Sequence, residues 1–89
     1  MISNALKVNP RDNVAIAIRQ IAAGEDVVVD GVMLLQAGED IAASHKVALA
    51  DISAGGSVIR YGEPIVQARE DIRRGQWVHV HNTQPIGRH

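Results

Sequence analysis

A short unit recurs four times along this chain, and its spacing limits the possible folds more than any other feature. It reads Ile, two variable residues, a small residue, two more and then Val: Ile21–Val27, Ile41–Val47, Ile52–Val58 and Ile72–Val78. The small residue is Gly24, Ser44, Gly55 or Gly75, and three copies open Asp-Ile, at Asp40-Ile41, Asp51-Ile52 and Asp71-Ile72. Each copy therefore predicts a buried Ile, a tight turn whose small residue takes a backbone conformation closed to most side chains, and a strand. The copies share these positions and differ elsewhere, and the differences look like a site. His45-Lys46 follows the second turn residue, Tyr61-Gly62 closes the third copy, and His79-Val80-His81-Asn82 closes the fourth.

Around the repeat, Ala5–Val8 reads as a first strand. Val27–Val29 and Val32–Leu35 flank Asp30-Gly31, the strongest short hairpin signal, because that pair accepts the positive φ angles of a type I′ turn. Further strands are expected near 46–50, 57–61, 64–69 and 76–82. One helix is also predicted, over 10–22. Asn9 can cap it, Pro10 suits its first position, Asp12 sits where a capping-box acid would, and Val14, Ile18 and Ile21 follow at helical spacing before Gly24. The reading is one domain over residues 1–89, mainly β with one short helix, and a loose tail at about 83–89.

At 89 residues the core is thin. Phe is absent and Trp77 and Tyr61 are the only aromatics, so an oligomer or a subunit is expected. The net charge of −1, with no basic face interleaved with aromatics, argues against nucleic acid. Without cysteine, any metal site must use His, carboxylate, amide or water. Neither a leader peptide nor an apolar run of membrane-spanning length is visible, so a cytoplasmic protein off the membrane is expected.

His79 and His81 alternate in a predicted strand, so both leave one face, where two imidazoles can share a divalent cation or simply be exposed. Asn82 beside them offers an oxygen or ends the strand. His45 can bind metal or move a proton and Lys46 can hold a carboxylate, or both can sit in a solvated loop. Tyr61 either packs or donates a hydrogen bond. The acid pairs Glu25-Asp26, Glu39-Asp40 and Glu70-Asp71 fall at equivalent repeat boundaries, where turn chemistry accounts for them. Ala54-Gly55-Gly56-Ser57 lacks the Lys and helix of a phosphate loop.

Asp12–Ala17, His45–Leu49 with Asp51-Ile52, Val58–Gly62 and Trp77–Asn82, in that order, resemble the N-terminal SAF domain of the altronate/galactarate dehydratase family over roughly residues 6–83. The resemblance implies a β-clip fold. It also implies a small subunit that works with a large catalytic dehydratase subunit, removing water from a hydroxy acid with iron(II) or manganese held in the complete complex. The ending at His79-Val80-His81-Asn82 is nearer the altronate and sulfolactate branches than the galactarate branch. On this resemblance His45, Lys46 and Tyr61 are candidate catalytic residues, Lys46 and Asn82 substrate contacts, and His45, His79 and His81 metal ligands. Alternatives are a small subunit of the sulfolactate sulfo-lyase type and a non-catalytic carbohydrate-binding or assembly module. The chain departs from the family pattern at Ser44 and Val66, where Gly is usual.

Overall fold

A computed structural model describes residues 1–87 as nine β-strands. They are β1 (Ala5–Leu6), β2 (Val14–Ala17), β3 (Asp26–Val29), β4 (Val32–Gln36), β5 (Lys46–Ala48), β6 (Ser57–Arg60), β7 (Glu63–Ala68), β8 (Trp77–Val78) and β9 (Thr83–Gln84). An antiparallel sheet in the order β1-β2-β5-β8 forms the centre, with the hairpin β3–β4 on one side and the sheet β6-β7-β9 on the other. The mainly β character expected from the repeat is present. No helix long and apolar enough to cross a membrane occurs among the described residues.

Each face of the central sheet is buried against one hairpin. Ala5, Ala15, Ala17 and Val47 join Val27, Val29 and Leu35 in a first core, with Trp77 packed against it. On the opposite face Val14, Ala48 and Val78 join Val58, Ala68, Ile52 and Ile72 in a second. The two units are copies of each other at a constant offset of 31 residues, with Ala17 matched to Ala48, Ile21 to Ile52, Gly31 to Gly62, Asp40 to Asp71 and Val47 to Val78. Even the bulges correspond, between Val27 and Val28 in one hairpin and between Val58 and Ile59 in the other.

The repeat works by exchange. Gly24, Ser44, Gly55 and Gly75 all have positive φ, from 70° to 92°. Each turn is closed by a bond from the next residue, so that Glu25, His45, Gly56 and Gln76 donate to the carbonyls of Ala22, Ala42, Ser53 and Arg73 at 2.7–3.1 Å. Positive φ at the third of four residues is the signature of a type II turn. Each turn residue then donates to a buried alanine of its partner copy at 2.7–2.8 Å: Gly24 to Ala37, Ser44 to Ala17, Gly55 to Ala68 and Gly75 to Ala48. Ile21 and Ile41 exchange two backbone bonds, and so do Ile52 and Ile72. The boundary aspartates finish the turns, since Asp40, Asp71 and Asp51 accept the N–H groups of Ala23, Ala54 and Arg74 at 2.8–2.9 Å.

The helix expected over 10–22 is not formed. Its start signals are real: Asp12 accepts the Asn9 N–H at 3.1 Å and Asn9 accepts that of Arg11. Asp12 also accepts the Gly62 N–H at 2.7 Å, and Asn13 bonds both Ser57 and Ile59, so this turn is tied to the second hairpin instead of continuing. Residues 14–17 become β2, a strand buried on both faces, which removes the alternation that marks an ordinary strand. The loose tail does not begin at 83 either, because Thr83–Gln84 pair with β7; Arg88 and His89 lie outside the described residues.

Two glycine replacements separate conformational strain from collision. A Cβ at Gly24 meets nothing within 4 Å, so Gly24→Ala pays only the left-handed backbone penalty of about 1–2 kcal/mol. A Cβ at Gly75 meets the Gln36 carbonyl oxygen at 2.8 Å and the Gly38 nitrogen at 3.1 Å. Urea unfolding is expected to place Gly75→Ala well below Gly24→Ala in stability.

Candidate functional site

The position after each turn residue shows how a site grows from the scaffold. In the first and fourth copies Glu25 and Gln76 fold back, accepting the N–H groups of Ala22 and Arg73. In the second copy that position is His45, whose Nδ1 instead accepts the indole N–H of Trp77 at 2.9 Å across the β5–β8 pair. Trp77 is held by packing against the first core and by its own N–H, which Glu39 accepts at 2.9 Å. The rings of His45 and His79 stack with centroids 4.3 Å apart, and Trp77 lies 5.2 Å from His79 and 4.7 Å from His81. Three of the sequence-predicted residues thus gather into one aromatic ledge.

The ledge is shaped by Asn82. Its Nδ2 donates to the Trp77 carbonyl at 2.8 Å, its Oδ1 accepts the His79 N–H at 3.0 Å, and Thr83 Oγ1 donates to the His79 carbonyl. With 4% exposure, Asn82 clasps the turn, its amide engaged on both sides. His79 and His81 do not alternate along a strand, since β8 ends at Val78; they flank a turn that leaves Val80 73% exposed.

Indole N–H is only a donor, so His45 must present an unprotonated Nδ1 and carry its hydrogen on Nε2. In this tautomer His45 is a donor towards an incoming ligand, not a base. Iron(II) or manganese does not fit the three histidines as arranged. The His45 lone pair is taken, and near-parallel stacked rings send their in-plane lone pairs side by side, not to one point ~2.1 Å from both. Among the described residues no group of three or more His, Cys, Asp or Glu side chains is disposed to hold a metal ion.

Burial first, and then the positive charges of His45, Lys46 and His81, hold the His79 imidazole below the ordinary histidine range. Burial, with Arg60 nearby, likewise lowers the Lys46 ammonium. Lys46 faces away from the first core, beside its cross-strand neighbours Ile16 and Val78. Tyr61 is not in the ledge. It occupies the β6–β7 hairpin tip with φ 57°, 54% exposed, its hydroxyl accepting from Arg60 Nη2 at 2.9 Å. Trp77 and Arg60 are the residues to which sequence reasoning gave no role. The one Trp of a chain almost without aromatics, two residues before His79, was the available signal for the first.

A family model described as the altronate/galactarate dehydratase SAF domain matches residues 3–85. No curated protein matches the chain.

Two NMR outcomes check the ledge. Long-range 1H–15N correlations at neutral pH are expected to show His45 as the Nε2–H tautomer, with mixed tautomers in Trp77→Phe. The folded state favours neutral His79, so its titration midpoint is expected below the ordinary histidine value of about 6.5, and Lys46→Gln should raise it. Because the unfolded chain takes up that proton first, the His79 contribution to stability is present above this range and is lost as pH falls through the folded midpoint.

Proposed function

The chain belongs to the altronate/galactarate dehydratase SAF domain family, and on that premise we propose that it is the small subunit of a cytoplasmic sugar-acid hydro-lyase. A dehydratase-associated domain is the coarse statement the family supports. The finer reading is a chain that meets an altronate-like hydroxy acid while a large subunit provides the rest of the active site and the divalent metal. The observation that carries it is the ledge of His45, Trp77, His79 and His81, fixed on the central sheet by the indole bond and the Asn82 clasp. Two surface depressions of the molecule, at Asp51–Ser53 with Asp71–Arg73 and at Lys7–Pro10 with Asp30, involve none of these residues. The ledge is an open surface, and a surface of this kind needs a second wall to enclose a polyhydroxy acid.

The chemistry removes a proton from the carbon beside the carboxylate and hydroxide from the next carbon. The enol so formed becomes a 2-keto-3-deoxy acid. Lys46 opposes the charge that builds on the carboxylate as the proton leaves. His45 Nε2–H donates to a substrate oxygen. His79, neutral at physiological pH, is the ring able to accept a proton. Tyr61 acts through Arg60, whose guanidinium it holds.

Open histidines also suit a non-catalytic assembly module, and one experiment separates the two. The tagged chain is purified from its source, the large partner and bound iron or manganese are identified, and the reconstituted pair is assayed on altronate and sulfolactate. Turnover is expected only from the pair. His45→Ala and His79→Ala should each lower kcat by about 10²–10⁴ while association is unchanged. Unchanged turnover in both variants would establish the assembly module, and faster turnover on sulfolactate would move the substrate to the sulfo-lyase type.

A further inference from the structure

The 31-residue offset between the halves shows which residues the scaffold requires and which it carries for another reason. Lys46 corresponds to Ala15 and Arg60 to Val29, and both counterparts are core residues, 0% and 5% exposed, in the same cluster. At these two positions the fold is therefore satisfied by small apolar side chains in one core. The second half has placed two cations there.

The strand geometry agrees. Arg60 lies two residues beyond Val58, which is fully buried, so it shares the inward face of β6. Lys46 lies beside Val78, a member of the same second core. Among the described residues neither cation has a carboxylate within salt-bridge distance, Arg19–Glu25 being the ion pair found; Glu63, opposite Arg60 in register, is not bonded to it. Arg60 Nε is cut off from solvent and has no hydrogen-bond partner. Its Nη2 is tied to the Tyr61 hydroxyl and its guanidinium lies 4.6 Å over that ring, which fixes the plane of the fork. Tyr61 does this from a left-handed backbone position, φ 57°, where the first hairpin uses the easily tolerated Asp30. Burial first, and then the Arg60 charge, disfavour the charged form of Lys46.

We propose that Lys46 and Arg60 form a carboxylate clamp, a binding site for the acid group of a small polyhydroxy acid at the edge of the second core. A guanidinium plane fixed by Tyr61, with no carboxylate already on it among the described residues, suits the two oxygens of a planar carboxylate, and the lysine adds a point charge. The clamp deepens the reading above by naming what grips the acid group, and its test does not need the large subunit.

The full chain, 15N-labelled, is titrated with sodium D-gluconate, with D-glucitol, and with sodium chloride at matched ionic strength. Saturable shifts at Lys46, Arg60 Nε and Tyr61 are expected with gluconate alone. The variant Lys46→Ala/Arg60→Val restores the first half's residues. It should remain folded, with a urea midpoint no lower than that of the parent, and bind gluconate at least tenfold more weakly. Gluconate shifts no larger than those of chloride, equal shifts from glucitol, or binding that survives in the double variant would overturn the clamp. So would a lowered urea midpoint, which would make the cations structural. A chain that binds gluconate here but recruits no large subunit keeps the clamp and loses the subunit reading; the converse loses the clamp alone.

Discussion

Everything in this domain depends on an exchange of backbone hydrogen bonds between paired turns and buried alanines. A turn residue with positive φ gives its N–H to the carbonyl of an alanine in the partner copy, and that alanine returns its own N–H to the residue after the turn, at 2.8–3.0 Å. Neither partner could be buried without the other, because an orphaned backbone group in the interior costs about 1–3 kcal/mol. Ala17, Ala37, Ala48 and Ala68 are all buried in the two cores, where a small side chain fits. With almost no aromatic mass to bury, the chain compensates with a repeated network in which nearly every buried polar group is matched.

That network explains why variation is concentrated where it is. The position after each turn makes its scaffold bond through the backbone, so its side chain can differ between copies, and it is Glu25, His45, Gly56 or Gln76. Trp77 occupies a place next to the core from which its indole can reach across to this position. One donor-only ring therefore sets the tautomer of His45, stacks with His79 and packs at a tilt against His81. The histidines are organised by a hydrophobic residue, and removing it should disturb their chemistry before it disturbs the fold.

Much of the fold was legible because turns have local causes. Gly24, Gly55 and Gly75 marked left-handed turns, Ser44 took the same conformation, and Asp30-Gly31 marked a hairpin whose φ angles are 51° and 75°. The second hairpin turn, Tyr61-Gly62, repeats that conformation with a residue that gives no turn signal, and only the offset between halves reveals it. The helix misreading over 10–22 has a related cause, since a strand covered on both faces loses its period of two and the surviving Val and Ile spacing resembles a helical stripe. The histidines were legible as residues, but their tautomer, the structural task of Asn82 and the inward aim of Arg60 depend on contacts between residues far apart in sequence.

The two halves also show what the scaffold gives up. At equivalent places one half has Ala15, Val29 and Asp30, which suit a core and a hairpin, and the other has Lys46, Arg60 and Tyr61, which suit neither. Two like charges without a counter-ion lower stability, and they are tolerable at an edge where water still screens one of them. Screening limits their use as well: an ion pair at 4 Å is worth about 1 kcal/mol in water and about 4 kcal/mol at an effective dielectric near 20. On an open surface the proposed clamp and ledge would therefore grip an acid weakly. On the proposed reading, a surface that closed over them would remove the water and strengthen both, so a covering partner would contribute binding energy as well as chemistry.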